Sequence, residues 1–320
     1  MVEQSADAPI AMMQESVGVL GLGALGVALI KRFSSLGFDV SGADPDARAL
    51  QAYLATGGAS AAGSPLHLAR SAQVILLALG RGELHDAVLG PNGVAAGLRP
   101  GAVLVDMSDS GPEVGASLGR RLESRGLAWM EAVLVGETAA VVAGEATLLV
   151  GGDPVHLGRC EHLFAAIATK VVRVGRVGDA GLVASLAASA SLLAHAALCE
   201  ALIAARSSGI APDVALSAIE AARPEISSGF VREQILSRRF DVGRSLADAT
   251  IDVDRALRAA GKTNVPALFL STLRQALALA HRQENGRGDV TDLFGALEAL
   301  SRVKISKGPS LQNDEVASGH

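Results

Sequence analysis

Gly21, Gly23 and Gly26 stand in the spacing G-x-G-x-x-G, directly after the apolar run Val17 to Leu20. Such a run suits a buried parallel strand. Where a strand turns into a helix, the first glycine permits the tight turn. The second lets a pyrophosphate approach the backbone, and the third lets helix and strand pack closely. The amides freed at the helix N-terminus then face the phosphates. Leu22, Ala24 and Leu25 fill the intervening positions and share that contact. A second apolar run, Phe38 to Ala43, ends at Asp44, 18 residues past Gly26. A carboxylate there accepts hydrogen bonds from both ribose hydroxyls of NAD. The alternative for Asp44 is a helix N-cap, because Pro45 follows it. NADP would call for an arginine immediately after this strand. Pro45 and Asp46 stand there instead, and Arg48 is the nearest cation. NAD is therefore expected rather than NADP. The glycines alone say little, but glycines, strand, helix and spaced acid together are specific.

A second set of polar residues follows the apolar run 102–107. Ser108, Asp109 and Ser110 fall at the C-terminal edge of the expected sheet, where ligands bind in such folds. Ser108 is a candidate contact to nicotinamide or substrate, or else the N-cap of a helix entered at Pro112. Asp109 is a candidate proton carrier. Ser185, Ser189 and Ser191 read as helix-packing residues, since no spacing supplies a base for a nucleophile. No pattern of metal ligands is present: Cys160 and Cys199 are the only cysteines and form no C-x-x-C.

Strands and helices alternate around these residues. Strands are expected at 17–21, 38–43, 74–79, 102–107, 127–133, 146–151 and 170–174. Helices are expected at 24–36, 46–56, 64–71, 83–89, 112–125 and 154–168. That alternation argues for an α/β fold, a doubly wound, mostly parallel Rossmann-type sheet with helices on both faces. After Gly178 the strand pattern stops. Helices are expected at 179–207, 211–222, 228–237, 244–260, 264–284 and 290–303, with Pro212, Pro224 and Pro266 near the breaks. The organisation read from this is a leader at 1–15, a dinucleotide-binding domain at 16–177, an all-α substrate and dimerisation domain at 178–305, and a disordered tail at 306–320. Met12 or Met13 is an alternative start.

Composition narrows the function classes. The chain of 320 residues is 49% hydrophobic with a net charge of −5, and only 3% of it is aromatic. Without basic runs or stacking aromatics, a nucleic-acid partner is not expected. The first 15 residues lack a basic segment followed by an apolar one, so no signal peptide is read and a cytoplasmic protein is expected. Ala180 to Cys199 carries no formal charge over 20 residues, long enough to span a bilayer. Its serines, His195 and lack of an aromatic belt favour a buried helix instead. A helix apolar on all sides must be covered all round, so a homodimer that sandwiches it is expected.

The order of motifs resembles the β-hydroxyacid dehydrogenase family, which includes 3-hydroxyisobutyrate dehydrogenases and, more distantly, the imine reductases. Gly-Leu-Gly-Ala-Leu-Gly at 21–26 is similar to the family's G-L-G-x-M-G. Leu89 to Val94 with Leu98 to Gly101 is similar to F-G-x-x-G-V…L-x-P-G, and Asp106 to Pro112 to D-x-S-T-x-x-P. Glu145 to Asp153, the Glu200-Ala201-Leu202 stretch with Gly209, and Asp252 fourteen residues before Pro266 complete the likeness, over about residues 16–303. The resemblance implies a Rossmann domain, an all-helical domain, a cleft between them, and hydride transfer involving a nicotinamide and a small-molecule substrate. It also implies a lysine on the long helix that donates a proton to the carbonyl oxygen.

The departures concern that chemistry. Counting from Glu200 or from Gly178, the lysine's position holds Ala184, and a register taken from Gly181 gives Ala187; the neighbouring asparagine's position holds Ala187 or Ala188. The loop expected to take a substrate carboxylate reads Glu131 to Glu137, with Val135 for its serine beside Gly136. Ala78-Leu79-Gly80 replaces Leu-Pro-Asn, in the loop that the family sets against the cofactor. Ile251 replaces the lysine of K-D-L. Glu131 and Glu137 would repel a carboxylate if they lined the pocket. His195, eleven residues after Ala184 on the same helix face, is a further candidate acid or a satisfied core residue. An iminium substrate already carries its positive charge, so imine chemistry fits an alanine at 184 better than alkoxide formation does. The rival expectation is a dinucleotide-binding sensor or scaffold with weak or no catalysis.

Overall fold

The computed structural model describes residues 15–55, 61–80, 82–108, 110–226, 228–282 and 288–306. All but the last residue of the expected leader, and all but the first of the expected tail, lie outside them, as does Asp109. The chain packs as two compact units, Met1–Ala184 and Ser185–His320. The boundary between these units falls inside the long helix.

In the first unit the order is β1 (Ser16–Leu20), α1 (Ala24–Ser35), β2 (Asp39–Ala43), α2 (Ala47–Ala55), α3 (Pro65–Ser71), β3 (Val74–Leu77), α4 (Leu84–Leu89), β4 (Val103–Asp106), α5 (Pro112–Glu123), β5 (Ala128–Val135), α6 (Thr138–Ala143), β6 (Ala146–Gly152), α7 (Pro154–Ile167) and β7 (Ala168–Gly175). These strands form one sheet in the order β2-β1-β3-β4-β5-β6-β7. Every neighbouring pair is parallel except β5 with β6. That reversal has a local cause. Parallel strands need a crossover of a dozen or more residues, and the six-residue α6 is too short to supply one. Neither α6 nor the extension of β5 to Val135 was expected from the pattern, which read strand only to residue 133.

The central strands are buried on both faces, which is why they read as unbroken apolar runs. Val74 and Leu76 pack in one cluster with Val17, Val19, Leu29 and Phe33. Ile75 and Leu77 pack in another with Leu20, Leu68, Val88 and Trp129. The period of two along β3 thus divides its side chains between helices on opposite faces. Burial of each such side chain contributes roughly 1.5–3 kcal/mol. Trp129 of β5 is 2% exposed. It lies flat enough against α5 that a Cβ on Gly119 would come within 3.0 Å of its ring. Tyr53 of α2 is buried in the same unit.

Helix α8 (Asp179–Ser207) starts in the first unit and continues in the second. The second also holds α9 (Pro212–Ala222), a π-helical turn at Val231–Ile235, α10 (Leu246–Lys262), α11 (Leu268–Ala280) and α12 (Asp292–Ser301). Its core joins Leu198, Leu202, Val253, Leu277 and Phe294. Two helices differ from expectation. The segment 228–237 contains a π turn, and α11 begins at Leu268 rather than 264, because Asn264 takes a left-handed φ of 54° just before Pro266. Ser245 caps α10 by accepting from the Asp248 amide at 2.9 Å. Helix α8 is long and apolar enough to cross a membrane, and 28% of its most apolar window is buried within the chain.

Candidate dinucleotide site and its surroundings

The β1–α1 turn is built as its glycines require. Gly21 has φ +102°, and a Cβ there would fall 2.2 Å from the Ala78 carbonyl oxygen. A Cβ on Gly26 would fall 1.8 Å from the Gly21 carbonyl oxygen. Gly23 differs: its φ is −70°, and a Cβ would meet nothing within 4 Å. The protein itself does not need glycine at 23; the open space beside it does. No side chain caps α1 and no acid occupies its first turn, so the first amides of the helix are left for an anion.

Asp44 closes the other side of this cradle. Its Oδ2 accepts from the Leu22 amide at 2.7 Å and its Oδ1 from the Asp46 amide at 2.8 Å. The carboxylate is held against the glycine turn, and each oxygen keeps a lone pair for a ribose hydroxyl. Asp46 adds a second acid on the same loop, where its side chain accepts from the Arg48 amide at 2.9 Å. These residues fit a bound dinucleotide: an open cradle at Gly23, free helix amides for the pyrophosphate and a fixed acid for the ribose.

The exits of β3 and β4 adjoin this turn. Ala78 donates its amide to the Leu20 carbonyl at 2.7 Å. Ser108 Oγ accepts from the Leu79 amide at 3.1 Å and donates to the Leu77 carbonyl at 3.0 Å. Ser110 Oγ donates to Asp106 Oδ2 at 2.7 Å, and the Ser108 amide donates to Asp106 Oδ1 at 2.9 Å. Asp106 is 3% exposed. It holds this loop in shape, a role not read from the sequence. The hydroxyl protons of Ser108 and Ser110 are both given to protein acceptors.

Glu131 would repel a carboxylate if it lined the pocket, but it is 4% exposed. Its Oε1 accepts from the Gly178 amide at 2.6 Å and the Ala180 amide at 2.7 Å, at the start of α8. Burial, reinforced by the neighbouring Asp106 charge and opposed by the amide bonds, pushes its pKa up to about 7. Glu137 sits exposed at the N-cap position of α6 without a capping bond. Beyond the row of Glu131, Val135 is exposed and Gly136 has φ +104° at the end of β5.

Ala184 packs with Ala180 against Val133 and Leu149, beside Val172 and Val174. In the other register Ala187 is exposed, and Ala188 is half-buried. Within the second unit, Ser185 Oγ donates to Asp252 Oδ1 at 2.9 Å, and Arg244 donates to Asp252 Oδ2 at 2.8 Å. Arg255 lies 3.4 Å from Ser185 Oγ. Ser189 donates to the Ser185 carbonyl at 2.8 Å, as a serine packed within a helix does. His195 stacks on Phe230 with ring centroids 4.6 Å apart. Burial lowers its pKa. The eleven residues from Ala184 to His195 span about 16 Å of helix axis, so the shared face does not bring the two together.

A cavity of about 680 Å³ lies elsewhere on the first unit, where Arg120, Arg173 and Arg176 face Glu123, Asp153 and Asp179; none of the residues expected to touch cofactor or substrate lines it. Among the described residues no group of His, Cys, Asp and Glu gathers for a metal ion.

Comparison with known proteins identifies the family. Residues 16–175 match the family described as the NAD binding domain of 6-phosphogluconate dehydrogenase, and 186–297 match the NAD-binding domain of NADP-dependent 3-hydroxyisobutyrate dehydrogenase. L-threonate dehydrogenase of Cupriavidus necator is 34% identical over 170 residues, 53% of this chain and 57% of that protein. The 3-sulfolactaldehyde reductase of Escherichia coli is 26% identical over 92% of this chain and 97% of its own length. The structure of Mycobacterium tuberculosis 3-hydroxyisobutyrate dehydrogenase with L-serine superposes with a TM-score of 0.76 at 20% identity, covering 90% of this chain and 99% of that one. A Myxococcus stipitatus imine reductase variant with NAD+ gives 0.56 at 18% identity, covering 89% and 100%. At these identities the structural likeness is one of fold.

Proposed function

From its place in the NAD-binding family of 3-hydroxyisobutyrate-type dehydrogenases, to which the chain belongs, we propose that it transfers hydride between NAD and a small imine or carbonyl substrate without a lysine proton donor. The observation that carries this reading is the pairing of a complete cradle with an apolar residue at the lysine's position. Gly21 to Gly26 and Asp44 form the cradle, and Ala184 packs against Val133 and Leu149. When bound, the dinucleotide supplies or accepts the hydride at its nicotinamide. The α1 amides hold its phosphates, and Asp44 accepts from its ribose. The two acids at 44 and 46 disfavour the extra phosphate of NADP through like charge. Ser108 fixes the Leu79 loop against the sheet edge.

With both serine protons already engaged, the described loop offers no free hydroxyl proton to a developing alkoxide. An iminium carbon needs none in the hydride step, and this favours imine over alcohol chemistry. Asp44 as the selector of NAD is tested by titrating NADH and NADPH against the protein by fluorescence. Tighter NADPH binding sinks that assignment. Oxidation of NADH is then screened against cyclic imines, aldehydes and semialdehydes, and reduction of NAD against hydroxyacids. Turnover of a simple 3-hydroxyacid faster than of any imine overturns the substrate preference. The second reading, a dinucleotide-binding protein without turnover, is favoured by the apolar packing of Ala184. Tight NADH binding with no turnover across the panel selects it. The largely uncovered α8 supports a homodimer that buries this helix.

A further inference from the structure

Glu131 and Asp106 stand side by side on paired strands: β4 and β5 are in register at Asp106 with Glu131. Both side chains are buried. Each carboxylate holds a different piece of the unit. Asp106 grips the Ser108–Ser110 loop through the Ser108 amide and the Ser110 hydroxyl. Glu131 grips the first turn of α8 through two amides. We propose that these two buried, in-register carboxyl groups act as one pair, a positioning device that ties Ser108 and Ser110 on the cofactor side to the start of α8. This rests on the dinucleotide-binding reading above.

The surroundings of Glu131 support the assignment. From β6 it meets Gly151, where a Cβ would come within 2.6 Å of Oε1; from α5 it meets Gly115, and from α8 Gly181. None of these three titrates. The β7–α8 turn brings Arg176 and Asp179, whose charged groups lie 3.8 Å apart with the arginine exposed at the surface. Asp179 also accepts from the Arg176 amide at 2.8 Å. Burial raises the proton affinity of Glu131 most, the amides of Gly178 and Ala180 oppose it, and the Asp106 charge adds a smaller push in the same direction as burial. With Glu131 neutral, no second charge opposes the hold of Asp106 on the Ser108 amide and the Ser110 hydroxyl. With Glu131 ionised, two like charges oppose each other across the strand pair, and the hold on Ser108 and Ser110 weakens.

The test follows Glu carboxyl carbons of the full-length chain by ¹³C NMR across neutral pH. One glutamate resonance is expected to titrate near pH 7, to be missing in Glu131→Gln, and to move acidward in Asp106→Asn. The pair is overturned if every glutamate titrates in the ordinary range, or if Asp106→Asn leaves the neutral resonance in place. The Asp106→Asn comparison needs no folded Glu131→Gln. For positioning, NADH affinity of the wild type should fall severalfold as pH rises through neutrality and stay flat in Glu131→Gln. An unchanged pH dependence in that variant overturns the positioning role. A wild type that binds NADH at no pH sinks the dinucleotide reading instead, and the carboxyl titration then decides the pair alone.

Discussion

Gly23 and Gly26 sit three residues apart and answer to different demands. A Cβ on Gly26 collides with the Gly21 carbonyl, while one on Gly23 enters empty space. Gly26→Ala should therefore cost about 2–3 kcal/mol of stability, measured by urea unfolding. Gly23→Ala should leave the melting temperature within about 2 °C and weaken NADH at least about tenfold, or ~1.4 kcal/mol, in a fluorescence titration. Glu131 gives a pH prediction with a definite sign. Its folded pKa of about 7 exceeds the ordinary value of 4.5. The stability it contributes is thus fully present below the unfolded value and is lost as pH rises through neutrality. Comparison of urea midpoints for wild type and Glu131→Gln across that window should show a difference of up to about 3 kcal/mol, with the variant flatter. These two acids also show what a sequence reveals. Asp44 was readable because its partner motif lies at a fixed distance along the chain. The place of Glu131 stayed open in the sequence because its partners are backbone amides 47 and 49 residues away. An amide donor is common to nearly all residue types and leaves no mark in the pattern.

At the scale of elements, strand runs and helix periods were read well wherever burial was two-sided. The exception is the connection between β5 and β6. Thr138 to Ala143 is short and carries no periodic signature, so the reversal of β6 had no sequence precursor. Helix α8 was anticipated over its full length. What faces its buried serine was not, because Asp252 lies 67 residues from Ser185. Asp252→Ala removes the carboxylate from Arg244 and the acceptor from a buried hydroxyl. It should cost about 2–3 kcal/mol in chemical unfolding, and Asp252→Asn should recover part of that by keeping one acceptor. Ala184→Lys places an ammonium against Val133 and Leu149. A loss of about 1–3 kcal/mol is expected from its desolvation, and a gain in aldehyde reduction would show that the helix still presents this position to substrate.

At the scale of the molecule, two units with separate cores share one continuous helix. The proposed homodimer makes a prediction here. The wild type should sediment at twice the chain mass, and Leu186→Glu, at an exposed apolar position of α8, should shift it toward monomer without abolishing NADH binding, whose proposed residues all lie in the first unit.

Trp129 and Tyr53 are the only tryptophan and tyrosine in the chain, and both are buried in that same first unit. The second unit is consequently dark in intrinsic emission. The indole, carried by β5 and packed against α5, reports on that face of the sheet, and its emission band overlaps the absorption of reduced nicotinamide. Quenching of Trp129 by energy transfer can thus serve as a built-in optical gauge of NADH occupancy, read from the first unit alone.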